Sequence, residues 1–359
     1  MKKNLFVMLV AASLAFQSCK KDDAPVSPVL PPASGAYVLS EGSFGGNNTK
    51  LGFYNLTSSA FSGDYFLQQN PGAAGLGDTG NDMIIYGGKL YIVMNVSSQV
   101  TVLNAATGAL LKRIDVLNGA VKRQPRYAVG TKGKVYVSAF DGTVNVIDTN
   151  LLNITKVIPV GPNPEGIATT GNYLYVANSG GLNATPDSTV SVIDLGTELE
   201  VKKIKVGVNP NKIAVNSAGD VYVSAYGIFG SATVTAGISV INSTTNTLKA
   251  TLPAASFQYT HIRISGDIAY LYNTYGAPGI KLYNTATNTV VRNEFVTDGT
   301  VIQATYGVDI DEQNGDVYVS DAKNYFSSGA LVCFTSAGVK KFSISIAPGI
   351  NPNKVLLKR

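Results

Sequence analysis

Histidine is nearly missing from this chain: His261 is the only one. A histidine-cluster metal centre is excluded by that count. As a general base, His261 would need an orienting acid and a poised nucleophile, and no recognisable triad accompanies it. Cysteine is almost as scarce, with Cys19 and Cys333 alone. A disulfide framework is therefore excluded, and Cys333, in the alternating run Leu331–Thr335, reads as a small buried hydrophobe. Charged residues make up only 14% of the sequence, and no basic stripe stands out. Nucleic acid is thus a poor partner. Beyond residue 19 no apolar run is long enough to cross a bilayer. The glycine pairs Gly45-Gly46 and Gly180-Gly181 do not sit between a strand and a helix, as a phosphate loop must. What is abundant is glycine (37), tyrosine (19) and apolar residues (45%), a composition suited to a large all-β core with many tight turns.

The first 18 residues read as a secretory signal: Lys2 and Lys3, an apolar run from Leu5 to Phe16, then small residues at Ala15 and Ser18. Residues 19–35 are rich in proline and predict a semi-rigid, extended tether. The segment Leu14-Ala15-Phe16-Gln17-Ser18-Cys19 resembles a bacterial lipobox, although Gln17 stands where a smaller residue is usual. The resemblance implies lipidation at Cys19. With Lys20-Lys21-Asp22-Asp23 behind it, the segment resembles the lipoproteins of the Bacteroidetes. That implies a lipid-anchored protein of the outer membrane, facing the extracellular side and touching the membrane through its anchor only. The competing reading is a plain secreted protein cleaved near Ser18.

Residues 36–359 are expected to form one repeat domain. Its anchor is an aromatic-aliphatic strand at Tyr37-Val38, Tyr91-Ile92, Tyr136-Val137, Tyr175-Val176, Tyr222-Val223, Tyr270-Leu271 and Tyr318-Val319. A second alternating strand follows each and closes in a polar turn, as in Val144–Asp148, Val190–Asp194 and Ile238–Asn242. The spacing of about 40 to 55 residues is the period of a β-propeller blade, and the two-residue alternation argues against helical solenoids. Each unit is expected to hold four antiparallel strands, with lysines on the outermost one to discourage edge pairing. The N-terminal unit opens directly on a second strand, Ala36-Tyr37-Val38-Leu39. At the other end, Asn351-Pro352-Asn353-Lys354-Val355 matches the first-strand motif Asn209-Pro210-Asn211-Lys212-Ile213. The tail should therefore complete the first blade and close an all-β ring of about seven blades.

Such a ring carries its long loops on one face, between second and third strands and between blades, and binding is expected there. The expected ligand contacts are Glu41, Phe44, Asn48, Asn95, Arg126, Tyr127, Phe140, Asn178, Tyr226, Phe229, Tyr259, His261, Asn273, Tyr275, Tyr306, Asp321 and Tyr325. Tyrosine and asparagine offer flat apolar contact with hydrogen-bonding tips, which suits a large, neutral, polar ligand. The alternative for several of them is a purely structural place in the channel or against a neighbouring loop. No catalytic set, metal set or cofactor site is expected. Asp309 and Asp311 would share a face of an extended chain, but their surroundings lack the spacing of a calcium loop.

The repeat resembles the YncE-like and lactonase-like seven-bladed propellers, on Tyr175-Val176-Ala177-Asn178-Ser179 and the following Val190–Asp194. Leu39-Ser40-Glu41-Gly42-Ser43-Phe44-Gly45-Gly46-Asn47-Asn48, with Leu76-Gly77-Asp78, resembles a Bacteroidetes group of surface propeller lipoproteins. Some of that group capture cobalamin and pass it to a TonB-dependent outer-membrane transporter. The resemblance implies a similar task here: a corrinoid as transported ligand, the transporter as partner, and a monomer outside that complex. Two other readings stand beside it, a protein- or glycan-binding platform and a lactonase-type hydrolase.

Overall fold

In a computed structural model, which describes residues 30–276 and 278–359, seven four-stranded antiparallel sheets follow one another around a ring. The expected signal segment and Cys19 lie outside the described residues. Blade 1 runs outward through Pro352–Lys358, Gly35–Ser40, Lys50–Asn55 and the two-residue strand Phe61–Ser62. In blades 2 to 7 the chain simply moves outward, beginning from inner strands at Gly80–Tyr86, Pro125–Thr131, Pro164–Thr170, Pro210–Val215, His261–Ser265 and Thr305–Ile310. Ring closure is as the terminal motif predicts. Val355 faces Val38, Leu356 faces Tyr37, and Ser34 N–H donates to the Lys358 carbonyl at 2.8 Å.

The core lies between blades. Alternation sends one face of each middle strand into one interblade layer and the other face into the next. In blade 2, Leu90, Ile92 and Met94 pack with blade 1, whereas Tyr91 and Val93 pack with blade 3. The anchor tyrosines are buried and reach across to the neighbouring blade. Tyr37 donates to the Ala105 carbonyl (2.8 Å), Tyr136 to Glu198 (3.0 Å) and Tyr175 to Asn246. Cys333 is fully buried, and burial pushes its thiol up to about 12. Outer-strand lysines pair with acids, Lys249 with Asp220 and Lys341 with Asp316, both at 2.5 Å.

Two local features fall outside the repeat pattern. A short helix, Tyr65–Gln69, capped by Asp64, packs on the stunted edge of blade 1, and a small hairpin (Leu117–Asn118 with Val121–Lys122) lies between blades 2 and 3. Gly35 and Ser40 mark opposite ends of one strand. Ser40 leads into the loop at the channel mouth, and so the chain enters the propeller at the opposite face.

Candidate functional site at the channel mouth

The inner strands break register at a fixed place. The slips fall between Gly80 and Asp82, Pro125 and Ala128, Pro164 and Ile167, Pro210 and Ile213, and Thr305 and Gly307, and the terminal strand slips between Pro352 and Lys354. Each is a β-bulge, which leaves residues unpaired and re-aims their side chains. The preceding residue is left-handed at Thr79, Gln124, Asn163, Asn209 and Asn351, with φ between 44° and 59°. Asparagine tolerates this region better than other residues with a Cβ, which accounts for the repeated Asn-Pro turn. The bulged residues, among them Asn81, Arg126, Tyr127, Glu165, Lys212, Tyr306 and Asn353, all line a central cavity of about 680 Å³. Blade 6 alone pairs without a slip, from His261 against Tyr272 to Ser265 against Ile268.

The asparagines of this set join blades. Asn81 donates to the Arg126 carbonyl (2.5 Å), Asn211 to the Thr260 carbonyl (3.2 Å) and Asn353 to the Gly80 carbonyl (2.8 Å). Gly166 lets neighbouring strands meet, since a Cβ there would lie 2.5 Å from the Asn211 carbonyl oxygen.

The charged members form a network. Arg126 grips Glu165 with two bonds, 2.9 and 3.1 Å, and its guanidinium lies 4.5 Å from the Phe140 ring centre. Lys354 lies 3.4 Å from Asp309 and 4.0 Å from Asp82. Asp82 accepts the Ala128 N–H at 3.0 Å, and Asp309 accepts the Val355 N–H at 2.7 Å. Burial raises the carboxyls of Asp82 and Glu41 above the usual range, and Glu41 accepts the Tyr306 hydroxyl at 2.7 Å. Lys212 sits 3.7 Å above the Tyr127 ring centre and donates to its hydroxyl; burial brings the amine down to about 8. His261 stands between Tyr226 and Tyr272, its Nδ1 2.9 Å from the Thr260 hydroxyl. Burial first, and Lys212 second, push it well below the ordinary histidine range, so it is neutral at pH 7.

Above this floor lies an aromatic arc. Tyr275 stacks on Tyr325 with centres 5.4 Å apart, and Tyr325 meets Tyr306 edge-on at 6.0 Å. Tyr325 donates to the Thr274 carbonyl at 2.6 Å, which holds the loops of blades 6 and 7 together. Phe44, Phe229 and Phe326 stand fully in solvent on the surrounding loops.

The structure brings Glu41, Arg126, Tyr127, Tyr226, His261, Tyr275 and Tyr306 to the cavity, with Phe140 beneath Arg126 and Tyr325 at the rim. Other expected contacts serve the scaffold. Asn178 is fully buried among Gly161, Thr189 and Ser191; Asn95 bonds the Pro125 carbonyl; Asp321 accepts three backbone N–H groups, those of Gln303, Ala304 and Lys323. Asn48 accepts the Ser43 N–H inside its loop, Asn273 holds Thr260 and Gln258, and Tyr259 packs by Lys281. Sequence reasoning missed Asp82, Glu165, Lys212, Arg263 and Lys354, and weighed Asp309 only with Asp311 against a calcium loop; together these six give the floor more charge than a mouth of tyrosine and asparagine would carry. A signal existed: Glu165, Lys212 and Lys354 stand one or two places after an Asn-Pro pair.

Residues 34–348 match the family model described as a domain of unknown function, DUF5074. The chain belongs to the DUF5074 family. Among solved structures, this DUF5074 protein is similar to a quinoprotein alcohol dehydrogenase-like protein from Bacteroides thetaiotaomicron. The TM-score is 0.65 at 15% identity, over 91% of this chain and 79% of that one. Hydrazine synthase from Kuenenia stuttgartiensis gives 0.55 at 18% identity, over 70% and 74%. The designed protein Ika8 gives 0.56 at 14% identity, over 88% and 89%. At these identities the likeness is one of fold. No curated protein matches the sequence.

Proposed function

We propose that this DUF5074 propeller is a ligand-capture lipoprotein of the outer-membrane surface, with the channel mouth as its site and a corrinoid as its ligand. The aromatic arc of Tyr275, Tyr325 and Tyr306 over a polar cavity is the observation that carries the reading. Flat rings suit a bulky macrocycle lying across the rim, while the cavity beneath receives its amide arms. The geometry of entry supports it too. If the chain is anchored ahead of Gly35, the mouth lies at the far end of the strand that the tether enters. A TonB-dependent transporter would then take the ligand from the rim, as in the group that the N-terminal motif resembles.

Isothermal titration with cyanocobalamin tests the ligand. Saturable heat is expected, weakened about tenfold or more by Tyr275→Ala, since one stacked ring contributes on the order of 1 kcal/mol or more. Absence of both heat and thermal shift at saturating ligand overturns it.

A second reading, a platform for protein or glycan, rests on the exposed Phe44, Phe229 and Phe326. Recovery of a transporter in a pull-down, without any corrinoid response, supports that reading instead.

A further inference from the structure

The channel is electrically lopsided. Its carboxylates come from Glu41 and from blades 2, 4 and 7, as Asp82, Glu165, Asp309 and, just past the inner strand of blade 7, Glu312. The inner strands of blades 5 and 6, Pro210–Val215 and His261–Ser265, bring Lys212 and Arg263 and no acid at all. Two channel cations are matched: Arg126 by Glu165 and Lys354 by Asp309. Lys212 is not. Among the described residues no carboxylate lies within ion-pairing distance of its amine, and its partner is the Tyr127 phenol. Glu165 and Asp82 act on it only from further away, and both are already engaged. Arg263 is only loosely held, 3.8 Å from Asp309 and 3.7 Å from Glu312, and its buried Nε has no hydrogen-bond partner. A partly desolvated cation without a counter-charge is costly, and a buried donor without an acceptor adds to the cost.

We propose that the wall formed by blades 5 and 6 is an anion subsite, where Lys212 and Arg263 receive an oxyanion, phosphate or carboxylate, carried by the ligand. Such a group supplies both missing acceptors, and the inner strands of blades 5 and 6 bring no acid of their own against it; the carboxylates it meets are Asp309 and Glu312 of blade 7, through Arg263. The uncharged imidazole of His261 and the Tyr226 ring border the subsite and add polar contact without opposing charge. The subsite shares the mouth with the proposed function but not its choice of ligand. It follows from unmatched donors and stands if corrinoid binding fails.

The test uses the whole propeller with ¹³C-labelled lysine. The Lys212 side-chain signal, identified by its disappearance in Lys212→Met, is titrated with pH in sodium chloride, inorganic phosphate and acetate at equal ionic strength. In chloride the midpoint is expected near the depressed value of about 8. A bound oxyanion should raise it by about one unit, a tenfold preference for the charged amine. The exposed Lys202 and Lys203 should stay still, and Arg263→Gln should shrink the rise. A rise in phosphate alone assigns a phosphate group, and a rise in acetate assigns a carboxylate. Equal midpoints in all three salts, or a common drift of every lysine, overturn the subsite.

Discussion

His261 and Lys212 both keep less charge than they would in water, but they affect stability in different pH windows. The histidine's folded value lies well below its unfolded value of about 6.5, so the unfolded chain binds the proton that the native protein refuses. Its stabilising contribution is complete above pH ~6.5 and fades as the pH falls below it. Glu41 and Asp82, whose carboxyls are raised, act oppositely: they favour the native state as pH falls toward their unfolded values of about 4. A comparison with His261→Asn isolates the histidine. The gap between the two melting temperatures, followed by calorimetry from about pH 7 to about pH 5, should move in favour of the variant on acidification. A constant gap would show that His261 titrates as if free. For Lys212 the strain is present below about pH 8 and is relieved as pH rises toward the unfolded value of about 10.4. Lys212→Met should therefore stabilise at pH 7, by about 1 kcal/mol once solvent screening at the open mouth is discounted, and should abolish that alkaline gain in urea denaturation.

Among the elements, the inner strand matters most, because its bulge converts a plain sheet edge into the wall of a site. The turn before it needs a residue at positive φ, and Asn209 meets that need at 58°. Asn209→Ala should cost about 1 kcal/mol by denaturant titration. Gly166→Ala should cost more, about 2–3 kcal/mol, because the new methyl meets the Asn211 carbonyl of the next blade and both strands must part. A stability unchanged by Gly166→Ala would mean that blades 4 and 5 slide apart easily. The repeat made the second and third strands of each unit legible before any coordinates, because an aromatic-aliphatic pair and an alternating run recur in every unit, and the inner strand was placed ahead of them. The bulge was not legible. A slip of register is a relation between two strands, and an Asn-Pro pair by itself records only a turn.

The whole ring depends on a single seam. Removing residues 350–359 exposes the inner edge of Gly35–Ser40 and leaves Asp309 without the Val355 N–H that it accepts. Melting temperature should fall by roughly 10 °C or more, with self-association through the bared strand visible by light scattering. A truncated chain that melts like the native one would refute closure as the source of stability. The same circle sets the chemistry of the channel. Asp82, Lys354 and Asp309 lie far apart in the chain, and meet only because blade 1 takes its inner strand from the C-terminus.

Period, strand order and closure could be read from the chain alone, since they rest on local alternation and on one motif recurring at both ends. The rim aromatics were legible for the same reason: long loops between well-marked strands identify their own face. Which side chains turn inward, which asparagines are consumed as staples, and how the channel charges divide were decided only by the folded ring. Those properties arise where strands from different blades converge on one axis, and a linear sequence carries no coordinate for that convergence.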